Sequence, residues 1–294
     1  MKKMIPLILA AASLSAERYQ ETLYPEWSQS FEIGKMIHQE KSEFWDLAIF
    51  ENSLFGRVFA IDGIIQTTQK DEAVYHEMMA HVPLMAHENP VSVLIIGAGD
   101  GGVLREVLRH ETVQKAVMVE IDPAVIELSK KYLPEWSNGA FDDPRAKIVI
   151  QDASKYVKET EEMFDVIICD SNDPEGPAKV LFSSEFYGDC KKKLNPKGIF
   201  VNQNGVPLLQ EKELKLTLEN RKPHFKYTTY YVVPVPTYVG GYMALGWASD
   251  GFYKPSERKL ISRMEKVRGK LRYYTPAVHK ASFALPQYVL DALN

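Results

Sequence analysis

The 294-residue chain carries 45% hydrophobic and 25% charged residues with a formal net charge of -4, the composition of a globular protein with a full core rather than a disordered or fibrous one. That balance, without a long basic run, excludes a general electrostatic attraction to nucleic acid, so a small-molecule partner is expected instead. Its two cysteines, Cys169 and Cys190, lack C-x-x-C spacing and exclude a disulfide scaffold; Cys169, inside an apolar run, reads as core filling.

Residues 1–16 open with two lysines and an apolar stretch ending in small residues, resembling a signal peptide. The other reading is an N-terminal extension or a start-site artefact. The stretch is too short for a stable bilayer-spanning helix, and no membrane partner is expected. Residues 17–70 mix β-branched, aromatic and polar residues with turn signals at Gly34, Gly56 and Asp62-Gly63, which predicts a small antiparallel β domain. Residues 71–294 are expected to form the main domain. It begins with a helix that places Tyr75, Met78, Met79 and Val82 on one face, a core-packing stripe, with Asp71 and Glu72 in its first turn.

After Pro90, short apolar runs alternate with helical segments: "VSVLIIG", "AVMVEID", "KIVIQDA", "FDVIICD" and "GIFVNQ". This rhythm predicts an α/β fold, a Rossmann-like, mostly parallel sheet covered on both faces. Helices are expected over 103–109 and 124–132. The two apolar stretches around 236–241 predict an antiparallel hairpin at the sheet edge.

In such a sheet, ligands bind at the carboxyl ends of the strands. The first run ends in "GAGDGG", where Gly97 and Gly99 permit a sharp turn and a close approach to a ligand. Glu120 ends the second run, about 20 residues on, the spacing of an acid that bonds ribose hydroxyls. Asp152 ends the third and Asp170 the fourth, with Asp173 just beyond. With Asp100 these make a rim of negative charge around one crevice. The rim disfavours a pyrophosphate dinucleotide, and Asp100 should repel the carboxylate of S-adenosylmethionine. A sulfonium nucleoside with an ammonium but no carboxylate suits it better, and a diamine suits the acid-lined remainder. Decarboxylated S-adenosylmethionine is such a nucleoside.

The segments "LIIGAGDGGVLREVLRH", "VEIDPAVIELSKKYLP", "FDVIICDSNDPEGPAKVLF", "VPTYVGG" and "YYTPAVHKASFALPQYVLDAL", with "DGIIQTTQKDEAVYHEMM" before them, resemble the spermidine synthases, the polyamine aminopropyltransferases. The resemblance runs from about residue 20 to the C-terminus. It implies a β-stranded N-terminal domain, a methyltransferase-type Rossmann-like domain, and a homodimer or homotetramer. It also implies transfer of an aminopropyl group from decarboxylated S-adenosylmethionine to putrescine, with no prosthetic group and no metal. By position it implies that Asp170 is the general base, that Asp100 holds the aminopropyl ammonium, and that Glu120 and Asp152 bind the ribose and the adenine. Gln29, Gly97, Gly99, Ala153 and Pro177 would also contact the nucleoside. Gln66, Tyr75, His76, Ser171, Asp173 and Tyr238 would line the acceptor channel.

Elementary chemistry agrees with these roles. An alkyl amine has a pKa of about 10.4 and arrives protonated, so a fixed carboxylate at Asp170 is needed to accept its proton. Two other functions fit the residues: a diamine N-methyltransferase using S-adenosylmethionine, or a non-catalytic polyamine binder. Against the family pattern, Ala98 stands in the glycine loop, Ala153 follows Asp152, Asn172 replaces a hydroxyl residue and Glu175 adds an acid to the gate loop. Altered affinity rather than lost activity is expected from them. The remaining histidines show no metal-ligand spacing, and Lys191, Lys192 and Lys193 read as a solvated helix end. A cytoplasmic location is expected, since export would part the enzyme from its nucleoside.

Overall fold

The computed structural model describes residues 17–251 and 253–293, so both readings of residues 1–16 lie outside the described residues. Strands β1 (Arg18–Gln20) and β2 (Ser30–Glu32) form a short antiparallel pair. Strands β3 (Lys35–Lys41), β4 (Asp46–Asn52), β5 (Gly56–Ile61) and β6 (Ile64–Thr68) make an antiparallel meander in that order. Asp62 and Gly63, with φ of 50° and 81°, supply the two left-handed residues of a tight β5–β6 turn. The run Leu47 to Phe50 is apolar at every position because both faces of β4 are covered. Leu47 and Ile49, with Phe59 and Ile61 of β5, pack on Val125, Leu128, Leu133 and Trp136. Ala48 and Phe50 pack with Phe31, Val58, Ala60 and Ile65. Burial of such side chains stabilises the contact by about 1.5–3 kcal/mol each.

Helix α1 (Glu72–Ala86) follows, then β7 (Ser92–Gly97), α2 (Gly102–Leu108), β8 (Lys115–Glu120), α3 (Pro123–Tyr132), α4 (Pro134–Ser137), β9 (Ala146–Ile150) and α5 (Ala153–Glu159). Next come β10 (Phe164–Asp170), a 3-10 turn (Gly176–Phe182), α6 (Ser184–Lys192), β11 (Leu194–Gln203), α7 (Glu211–Arg221), β12 (Tyr227–Val233) and β13 (Met243–Ser249). Helices α8 (Glu257–Met264), α9 (Pro276–Ser282) and α10 (Gln287–Leu293) close the chain. The seven-stranded sheet has the order β12-β13-β11-β10-β7-β8-β9. Strands β9, β8, β7, β10 and β11 run parallel, and β13 and β12 are antiparallel at one edge, as the sequence predicts. The period-2 alternation is clean in β7: Val93 and Ile95 enter one core layer with Met78, Met79 and Val82, while Leu94 and Ile96 enter the opposite layer with Cys169 and Phe200. No helix among the described residues is long and apolar enough to cross a membrane.

From β7 the chain moves outward through β8 to β9, then returns to place β10 on the other side of β7. The strand order therefore reverses between β7 and β10, where a crevice must open at their carboxyl ends. There Asp170 lies in register with Gly97, and the Ala98 N–H donates to the Asp170 carbonyl at 3.0 Å. Ala98 has φ of 60°, a left-handed conformation that costs an L-residue about 1–2 kcal/mol. Ala98→Gly removes that cost but loosens the unfolded chain, so a net gain of about 0.5–1 kcal/mol in urea unfolding is expected; a loss of stability would contradict the strain.

Candidate active site

Each strand that ends at the crevice delivers a differently anchored group. Gly97 has φ of 76°, and a Cβ there would collide with the Asp170 carbonyl oxygen, so the β7–β10 contact requires glycine. Glu120, at the end of β8, accepts the Ile121 and Asp122 N–H groups on Oε1 at 2.8 and 3.1 Å, while Oε2 faces Gly99. Burial pushes its carboxyl up to about 7, against the pull of those two bonds. Asp152 caps α5 by accepting from the Ser154 and Lys155 N–H groups at 2.7 and 3.3 Å, with Ala153 buried beside it. Asp170 takes a 2.6 Å hydrogen bond from the Tyr75 hydroxyl on Oδ1. Burial raises its carboxyl to about 6; Tyr75 and His76 lower it, and Asp100 adds to the rise.

Two cavities meet at this carboxylate. The first is lined by Gly97, Gly99, Asp100, Glu120, Asp152, Ala153, Pro177 and His76, the second by Asp173, Gln203 and Gln210. Gln66, Tyr75, Asp170, Ser171 and Tyr238 line both. Apolar side chains of the N-terminal meander complete the walls: Ile61 and Trp45 line both cavities and Phe59 the first. Sequence reasoning missed these three, because neither a strand residue such as Phe59 or Ile61 nor Trp45 in the β3–β4 connection carries a local mark of the distant crevice it will face. Asp173 is held by the side-chain amides of Gln203 and Gln210 at 3.3 and 3.1 Å, and burial raises its pKa. Burial also pushes Glu213 on α7 up to about 8, with Asp173 and then Glu175 adding repulsion, so Glu175 on the loop after β10 acts on a neighbouring carboxyl.

Other placements differ from the expectations. Gln29 lines neither cavity; its amide donates to the Thr237 carbonyl behind Tyr238. Asp71 is the N-cap residue of α1 rather than part of its first turn, and its side chain makes no cap bond. It precedes the helix and is buried, accepting from Thr68 Oγ1 at 2.6 Å and from the Thr237 N–H and hydroxyl at 3.0 and 2.8 Å. This clamp fixes the hairpin loop whose Tyr238 hydroxyl reaches the Gln66 carbonyl at 2.8 Å. The lysine run is not simply solvated. Lys191 pairs with Asp250 over the Phe225 ring and Lys193 donates to the Thr160 carbonyl at 2.5 Å, because α6 ends against the sheet. His81 and His110, left without a role by their spacing, are buried 2.8 Å apart, and His81 also meets Glu106 at 3.0 Å. His76 is likewise buried, between Glu72 and Asp100.

The mostly parallel sheet with an acid-rimmed crevice at its switch point, walled by a β meander, is a Rossmann-like α/β fold with a small-molecule site at the strand ends. Residues 72–256 match the family described as the spermine/spermidine synthase domain, and residues 17–69 match the spermidine synthase tetramerisation domain. The polyamine aminopropyltransferase of Serratia proteamaculans (strain 568) is 49% identical over 283 residues, covering 95% of this chain and 98% of the relative. Among solved structures, a spermidine synthase in complex with the transition state analogue AdoDATO superposes with a TM-score of 0.89 at 41% identity, covering 95% of both chains. The spermidine synthase from Thermotoga maritima gives 0.87 at 40% identity, covering 95% of this chain and 94% of that one. The chain belongs to the spermine/spermidine synthase family, and its enzymatic class is that of a polyamine aminopropyltransferase.

Asp170 gives a stability prediction with a definite sign. Its folded pKa lies above the unfolded value of about 3.9, so stability held below pH 4 is lost as pH rises through about 6. Asp170→Asn is therefore expected to gain about 1–2 kcal/mol at pH 8, discounted for partial exposure, and nothing at pH 4. Chemical denaturation at the two pH values checks this; an equal effect at both would contradict it.

Proposed function

We propose that the chain makes spermidine by transferring the aminopropyl group of decarboxylated S-adenosylmethionine to putrescine, with Asp170 as general base. The single observation that carries this reading is that the Asp170 carboxylate is shared by both cavities, where a nucleophile in one and an electrophile in the other would meet. In the first cavity Glu120 Oε2 would take the ribose hydroxyls, and Asp152 with Ala153 the adenine edge. Gly97 and Gly99 would let the backbone pass close to the sulfonium, and Asp100 would hold the aminopropyl ammonium. Pro177 of the gate loop would lie over the nucleoside. In the second cavity Gln66, Tyr75, Ser171, Asp173 and Tyr238 would orient the diamine, its distal ammonium toward Asp173. Gln29 would act only through the Thr237 and Tyr238 segment it supports.

The amine enters as an ammonium. Asp170, ionised above about pH 6, accepts one proton from the end nearest the sulfonium, directly or through a water. The freed nitrogen forms a bond to the aminopropyl carbon as that carbon's bond to sulfur breaks. The bonding pair returns to sulfur, neutralising the sulfonium and releasing methylthioadenosine. The leaving group carries its own activating charge, so positioning and deprotonation are the protein's share of the work. A cytoplasmic location and assembly as a homodimer or homotetramer belong to the same reading; the match of residues 17–69 to a tetramerisation domain supports the assembly.

Incubation with both substrates is expected to give spermidine and methylthioadenosine in equal amounts. Asp170→Asn should lower turnover by about 10²–10⁴-fold while decarboxylated S-adenosylmethionine still binds by calorimetry. Folded wild-type protein that forms neither product would contradict the reading, as would methylation of the diamine when S-adenosylmethionine is supplied.

A further inference from the structure

His76 faces the first cavity, yet neither ring nitrogen is free for a ligand. Nδ1 lies 2.7 Å from Glu72 Oε2 and Nε2 lies 3.0 Å from Asp100 Oδ2, with the side chains of all three largely removed from solvent. Asp100 is fixed on its other oxygen too, since Oδ1 accepts the Gly102 N–H at 2.8 Å. A Cβ on Gly102 would overlap the imidazole, so the second glycine of the "DGG" run makes room for the ring rather than for a ligand. Glu72 is held from outside the site. Arg105 of α2 reaches its Oε2 and Arg272 of the C-terminal segment its Oε1, each at 2.8 Å. The Arg272 segment is itself pinned by Glu77, which accepts the backbone N–H groups of Arg272, Tyr273 and Tyr274 at 2.6, 2.9 and 2.7 Å.

From this chain of contacts we infer that His76 is a positioning residue: a buried imidazolium, braced by Glu72, that holds the Asp100 carboxylate in the one orientation able to receive the aminopropyl ammonium. Two hydrogen bonds from one planar ring to two carboxylates require both nitrogens to carry protons. The charged groups around the ring support this form. Burial works against the cation, but Asp100 and Glu72 outweigh it and push the ring up to about 10. Asp170 faces it across the crevice, its own carboxyl lowered by the ring, and Arg105 and Arg272 neutralise Glu72 from behind. His76 thereby offsets part of the Asp100 charge. The repulsion of a carboxylate-bearing nucleoside falls more on Asp170 and Asp173 than the sequence alone implies. The assignment rests on the aminopropyl-transfer reading for Asp100's ligand, but not for the ring's protonation.

The test is a double-mutant cycle in kcat/KM for decarboxylated S-adenosylmethionine, combined with ¹⁵N NMR of the histidine ring in ligand-free protein. His76→Ala and Asp100→Asn should each lower kcat/KM about 10–100-fold, and the double variant should be no worse than Asp100→Asn alone. His76→Gln, which can still donate to Asp100, should recover part of the loss. In the wild type the His76 ring nitrogens should keep doubly protonated shifts through pH 8, a readout that needs no folded variant and no turnover. Multiplying losses in the double variant, or a ring that titrates near 6.5, would overturn the positioning role. Wild-type protein with the expected shifts but no product would instead count against the proposed reaction.

Discussion

The backbone junction between the ends of β7 and β10 constrains everything else at the crevice. Gly97 must be glycine because the Asp170 carbonyl occupies the space of its Cβ, and the Ala98 N–H bonds to that same carbonyl. A side chain at the end of a buried central strand has little freedom. The carboxylate of Asp170 is accordingly held where the strand order reverses, with a cavity on each side. The left-handed Ala98 shows that the junction is kept at a local cost in backbone strain.

Around that point the carboxylates are not interchangeable, and their partners set their tasks. Asp152 is used by the start of α5, so its charge is tied to backbone donors. Glu120 has one oxygen bound and the other turned toward Gly99, and burial keeps it easily protonated without a ligand. Asp100 faces an imidazolium, whereas Asp170 has only the neutral Tyr75 hydroxyl. Asp170 and Glu120 are both raised toward neutrality with no direct cationic partner among the described residues, but of the two only Asp170 borders both cavities, the placement a proton acceptor between two bound substrates needs.

Much of this was legible from the chain. The apolar runs marked the strands, the acids terminating them marked the crevice, and Asp62-Gly63 marked the meander's turn. Local spacing can even show that Glu72 and His76 share a helix face. It cannot show that Asp100, Arg105 and Arg272 converge on that pair, because those contacts are set by tertiary packing between α1, α2 and the C-terminal segment. For the same reason Trp45, Phe59 and Ile61 gave no signal, and Asp71, placed by pattern in a helix's first turn, is a clamp on a loop 166 residues away. Gln29 illustrates the reverse case. A family position transfers easily, but the amide here is spent on a backbone carbonyl.

The pH dependence of kcat/KM for the amine, measured with the nucleoside saturating, tests Asp170 as proton acceptor most directly. A rising limb near pH 6 is expected in the wild type. Tyr75→Phe should move that limb to higher pH, because the lost hydrogen bond stabilised the ionised carboxylate. A limb that stays in place in Tyr75→Phe, or a wild-type rate independent of pH between 5 and 7, would contradict proton transfer to Asp170.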